Sequence, residues 1–106
     1  HTRVFEAIHE GLDALGFRDV IRREWQSGLV VPVKYPDDPN WNFEKVHDYC
    51  YERGFTIYPG KISTTNTFRL CALGAIDRPD IEAFFKVFRE ALEVNKIQIP
   101  AKYKEA

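Results

Sequence analysis

Tyr58-Pro59-Gly60-Lys61, followed by Thr67-Phe68-Arg69-Leu70-Cys71-Ala72-Leu73-Gly74, decides how this chain is read. The first piece has the make-up of a type II turn: proline presets the second position, and glycine tolerates a positive φ at the third. The second piece reads as a strand, and successive strand residues point to opposite faces. Phe68, Leu70 and Ala72 would then share one face, and Arg69, Cys71 and Leu73 the other.

Arg69 is the odd member of that strand. A guanidinium among apolar neighbours is costly unless an anion pairs with it. Its planar fork also suits two-point grip of a carboxylate or phosphonate. Two readings stay open from the residues alone. Arg69 either snorkels to solvent or pairs with a protein carboxylate, or it is kept for a small acidic ligand.

Working upstream, Phe55-Thr56-Ile57-Tyr58 reads as a short strand that can pair with the Arg69 strand across the connection from Pro59 to Asn66. Gly54 ends a helix from about Phe43 to Arg53, which Asn40 or Asn42 can cap. Phe43, Val46, Tyr49 and Cys50 form its inward stripe, and His47 lies beside that stripe. Before it, Pro36-Asp37-Asp38-Pro39-Asn40 is a turn-rich loop. Leu29-Val30-Val31-Pro32-Val33-Lys34-Tyr35 reads as a strand. Pro32 donates no amide hydrogen, so this strand belongs at an edge or carries a bulge. Phe17 to Gly28 is a mixed connection with room for a short strand, and its Arg18, Arg22 and Arg23 read as solvated surface. At the start, Val4, Phe5, Ile8, Leu12 and Leu15 keep one helix face, and Gly16 stops that helix. Gly11 weakens the helix and allows close packing.

Downstream, Asp77-Arg78-Pro79-Asp80 is a helix start, with Asp77 as cap and proline in the first turn. Ile81, Phe84, Phe85, Phe88 and Leu92 then form the cleanest helical stripe in the chain. Ile97-Gln98-Ile99 offers one more strand, after which residues 100–106 turn polar. The order helix, strand, helix, strand, strand, helix implies an α+β domain: a small antiparallel or mixed sheet with helices packed on one face.

The totals narrow the function. At 106 residues the chain is one small domain. A net charge of -1, from 15 basic and 16 acidic residues, gives no basis for nucleic acid or a membrane surface. No apolar run is long enough to span a bilayer. With no leader to read, the expected compartment is the cytoplasm. Cys50 and Cys71 stand far apart without a CxxC, so free buried thiols are expected rather than a metal site, with a disulfide as the alternative. His1, His9 and His47 fall on separate elements, and no phosphate-binding glycine loop occurs, so no catalytic set and no metal site is expected within the chain. Lys61 could form a Schiff base only if burial lowered its pKa, and the polar Ser63-Thr64-Thr65-Asn66 after it argues against that. There is no methionine, and the chain opens directly into a helical pattern, as a piece of a longer protein would.

Several stretches resemble one family. Gln26-Ser27 with the apolar strand ending in Tyr35-Pro36, then Arg53-Gly54-Phe55-Thr56-Ile57-Tyr58-Pro59-Gly60-Lys61, then Thr67-Phe68-Arg69-Leu70 with Gly74-Ala75-Ile76-Asp77, are similar to the class V, fold-type I aminotransferases. The likeness is to their C-terminal small domain and runs to about Val94, leaving residues 95–106 as an extension. Within the family it is strongest to the branch that moves the amino group of 2-aminoethylphosphonate to pyruvate, giving phosphonoacetaldehyde and L-alanine.

The resemblance implies a homodimeric enzyme using pyridoxal 5'-phosphate. It also implies that Arg69 binds the acidic group of the substrate. The cofactor, its Schiff-base lysine and the aspartate at the pyridine nitrogen belong to a preceding large domain of the same chain, so Lys61 inherits no role and this segment alone would be inactive. One departure stands out. Bacterial relatives typically carry Ile-Gly-Asn-Ile-Gly where this chain has Leu70-Cys71-Ala72-Leu73-Gly74. A class V small domain with another amino donor is therefore an alternative, and a stand-alone module binding small acids or a protein is a second.

Overall fold

The computed structural model describes residues 2–19, 30–60, 66–72 and 76–104. The elements follow the order α1 (Thr2–Leu15), β1 (Val30–Lys34), α2 (Phe43–Glu52), β2 (Tyr58–Pro59), β3 (Thr67–Cys71) and α3 (Arg78–Val94). β1, β3 and β2 form an antiparallel sheet in that spatial order, with β3 in the middle. The fold is α+β, and the expected order of elements holds.

Register settles which side chains share a face. Val31 lies opposite Leu70, and Val33 opposite Phe68. All are buried, and Phe68 is fully so. Phe68 packs against Phe43 of α2, Phe88 of α3, and Phe17 and Trp41 from the connections. The three helices contribute Val4, Ile8 and Leu12, then Val46 and Cys50, then Ile81, Phe88 and Leu92 to the same core. The opposite face holds Val30, Pro32, Thr67, Arg69 and Cys71, none of them fully buried, and the exposed Tyr58. Helices therefore cover one side of the sheet.

Pro32 is accommodated without loss to the ladder. Lys34 N donates to Arg18 O at 2.8 Å, away from β3, and amides two apart on a strand point the same way. The missing Pro32 donor thus faces the outer edge, as its position in an edge strand requires. An isolated bridge between Asp19 and Val33 lies on that edge. The rest of the Phe17 to Gly28 connection, including Arg22 and Arg23, lies outside the described residues.

The helix ends are built alike. Asn42 caps α2 by accepting from Lys45 N at 3.1 Å. Asp77 and Asp80 form a reciprocal capping box on α3, with proline in its first turn. At the C-terminal ends, Gly16 takes φ 76°, with Phe17 N donating to Leu12 O, and Gly54 takes φ 93°, with Phe55 N donating to Cys50 O. Both are Schellman closures, in which a left-handed residue lets the chain turn back on the last carbonyls. Gly11 meets its other expectation: a Cβ there would stand 2.3 Å from the Phe85 ring, so α1 and α3 approach where only a hydrogen fits.

Three local expectations are corrected. Ile97-Gln98-Ile99 is no strand. Lys96 adopts φ 61°, and Ile97 N turns back to Leu92 O at 2.9 Å, so these residues complete the closure of α3. Gln98 N then goes to the Asp38 carboxylate, and Ala101 N to Leu15 O, which docks the tail against α1 and the 37–40 loop. The strand expected over Phe55–Tyr58 begins only at Tyr58, because Phe55 N is spent on the cap of α2.

The type II turn is also absent. Tyr58 and Pro59 sit in the ladder opposite Arg69 and Phe68, and Gly60 has no left-handed φ. Glycine serves close approach instead: a Cβ on Gly60 would lie 2.5 Å from Thr67 Oγ1 and 2.7 Å from Thr67 O.

Lys96 is the one non-glycine residue with positive φ among those described. A side chain in that region costs roughly 1–2 kcal/mol relative to glycine. Lys96→Gly keeps the backbone donors and acceptors, including the Lys96 carbonyl that accepts from Asn40 Nδ2. The substitution is expected to raise stability by about 1 kcal/mol after glycine's added freedom in the unfolded chain is subtracted. Urea unfolding midpoints measure it, and a lower midpoint would contradict the assignment.

Candidate functional site

The sheet face opposite the helices carries Arg69. Arg69 projects from the central strand, flanked by Pro32 of β1 and Tyr58 of β2. Its Nε donates to the Pro59 carbonyl at 2.9 Å. That bond pins the guanidinium beside the β2 segment. It also occupies the Nε edge of the fork, and among the described residues no acceptor meets the terminal Nη groups. Among the described residues no carboxylate forms an ion pair with Arg69. Of the two open readings, pairing with a protein carboxylate is therefore not seen among them.

Cys71 shares the face one step along the strand, opposite Val30. It is a free thiol, half-buried, and burial pushes its ionisation upward while the nearby Arg69 charge opposes that. Cys50 is free and buried in the core, with its thiol pushed up to about 12 by burial. No disulfide joins them. Cys50 meets the expectation of a buried thiol, and Cys71 meets it only in part. Neither is a ready nucleophile, since the reactive form is the thiolate.

Next to this face a cavity of about 260 Å³ opens between β3, α3 and the end of α2. Phe55, Phe84, Phe85 and Ile81 give it apolar walls, and Tyr58 and Cys71 also line it. Arg69 itself does not line it.

The remaining candidates are structural. His9 contacts Asp13 at 3.2 Å along α1. His47 contacts Asp48 at 3.0 Å and stacks on Tyr51. Among the described residues no group of histidine, cysteine or carboxylate side chains could hold a metal ion. No described helix is long and apolar enough to cross a membrane. His1, Lys61 and the segment Leu73-Gly74-Ala75 lie outside the described residues.

The architecture is thus an α+β layer domain with a helix-covered sheet and a cationic open face. No family model matches the chain. Curated relatives do, among them proteins named 2-aminoethylphosphonate–pyruvate transaminase. The protein of that name from Burkholderia ambifaria is 36% identical over 84 residues, which is 79% of this chain and 22% of the relative. Those from Cupriavidus necator and Salmonella paratyphi B are 31% identical over 106 residues and 34% identical over 82 residues. The first covers 100% of this chain and 28% of the relative; the second covers 77% and 22%. This chain is a homologue of a segment of the 2-aminoethylphosphonate–pyruvate transaminases, and it spans about a quarter of their length or less.

That Tyr58 stands beside Arg69 was not foreseen from the sequence. The signal lies in the pairing, since only the β2–β3 register brings it opposite Arg69. The phenol of Tyr103 was also unforeseen. It accepts from Arg18 N and donates to Lys34 O at 2.6 Å, tying the tail to the outer edge of β1.

Proposed function

We propose that this chain is the C-terminal small domain of a pyridoxal-phosphate transaminase that passes the amino group of 2-aminoethylphosphonate to pyruvate. Residues 1–94 make the domain and 95–106 its docked extension. Arg69 is the group that binds the acidic end of the substrate. The observation that carries this reading is the guanidinium anchored to Pro59 O, with its terminal fork unclaimed by any described carboxylate. A cation held beside apolar Pro32 and half-buried on its strand is stabilised when an anion arrives.

The described residues do not form a pyridoxal-phosphate site. A Schiff-base lysine needs desolvation to lose its charge, and every described lysine lies exposed. The cofactor therefore falls to the large domain that the longer relatives have room for. The part played by this chain is to bind and orient an acid. The whole protein is read as a cytoplasmic homodimer.

Assay of both forms tests the proposal. The full-length enzyme is expected to form L-alanine from 2-aminoethylphosphonate and pyruvate, and residues 1–106 alone are expected to form none. A full-length enzyme that ignores 2-aminoethylphosphonate but transaminates another amine would move the assignment to a sister enzyme. That alternative rests on Cys71 and Ala72, which replace glycine and asparagine of the resembled motif.

A further inference from the structure

We infer that Tyr58 is a second anion-binding residue, and that the Arg69–Tyr58 pair makes the site selective for a tetrahedral phosphonate over a planar carboxylate. This rests on the reading of Arg69 given above and adds to it a residue and a basis for choice. The geometry begins with register. Tyr58 and Arg69 are direct cross-strand partners, so both side chains leave the same face with Cβ atoms roughly 4.5–5.5 Å apart. Tyr58 is 37% exposed, and among the described residues its hydroxyl has no hydrogen-bond partner. Its ring does not stack on the guanidinium: the described cation–π pairs are Arg18 with Tyr103 and Arg53 with Tyr49. The phenol is therefore an available donor on the strand paired with that of Arg69.

Ligand shape supplies the rest. A carboxylate has two oxygens in one plane, which the terminal Nη groups satisfy. A phosphonate carries a third acceptor oxygen, and tetrahedral geometry lifts it out of the guanidinium plane. A donor on the neighbouring strand is placed to meet it. On the other flank Pro32 offers no amide hydrogen and no polar side chain, so of the two strands beside Arg69 only β2 brings a donor. The neighbouring Cys71 is a thiol that burial keeps protonated, so it adds no competing negative charge.

The test is competitive inhibition of the full-length holoenzyme by two probes of similar size, ethylphosphonate and propionate. Tyr58→Phe removes only the hydroxyl. It is expected to weaken ethylphosphonate about tenfold or more, the range for one hydrogen bond to a charged group, and to change propionate by less than about twofold. Equal effects on both probes, or no effect on ethylphosphonate, would overturn the inference. Arg69→Ala run in parallel separates this from failure of the broader proposal. If Arg69→Ala weakens both probes and Tyr58→Phe weakens neither, the fault lies with Tyr58 alone. If Arg69→Ala weakens neither, the anion is held elsewhere and both readings fall.

Discussion

Arg69→Ala in the full-length enzyme is expected to lower kcat/KM for the acidic amine by between about 30-fold and several thousandfold, the loss of about 2–5 kcal/mol that follows truncation of one partner of a buried charge pair. The guanidinium is kept on a half-buried strand face with one bond to Pro59 O, so its terminal N–H groups lack a protein acceptor among the described residues. Substrate would provide that acceptor and the opposite charge together. Arg69→Lys should recover only part of the loss, because an ammonium keeps the charge and gives up the planar two-point geometry. Steady-state kinetics with purified variants decide the matter. An alanine variant with unchanged kcat/KM would remove Arg69 from the site.

The second large effect is on the fold. Phe68→Ala is expected to cost about 3–5 kcal/mol, the range for deleting a buried aromatic ring. Phe68 is fully buried at the centre of the sheet and touches rings from both connections and from α2 and α3. The surrounding rings also pack on one another, Phe17 on both Trp41 and Phe88, which resists collapse into the hole. In a domain this small such a loss removes a large part of the net stability, which is only a few kcal/mol above zero. The melting temperature should fall by at least about 12 °C. Calorimetry or circular dichroism would show it, and a fall of a degree or two would mean that this core tolerates a hole.

Phe68 and Arg69 are sequence neighbours pointing opposite ways, and that alternation was legible in the chain itself. So were the element order and the edge position of Pro32. Apolar spacing, glycine stops and the Asp77 capping box all agreed there, and agreement between levels is what makes a sequence readable. What could not be read depended on long-range partners. Lys96 in a left-handed closure has no composition signal, because lysine is a poor choice there. Pro59-Gly60 looked like a turn because local propensity favours one, but the ladder with β3 claimed Tyr58 and Pro59. The tail read only as an extension, and the Tyr103, Gln98 and Ala101 bonds show that it docks. For the proposed site, Arg69 stood out as a lone cation in an oily run. Tyr58 did not, since a tyrosine before a proline says nothing until its cross-strand neighbour is known.

The claim beneath all of this is that Arg69 is the grip for an acidic small molecule. A crystal structure of the full-length holoenzyme with phosphonoacetate bound would test it most directly. The account predicts an Arg69 Nη within about 2.7–2.9 Å of a bound phosphonate or carboxylate oxygen, the spacing of a charge-assisted hydrogen bond. A ligand seated against other residues, with the Arg69 guanidinium facing bulk water or closed onto a carboxylate of the protein, would contradict it.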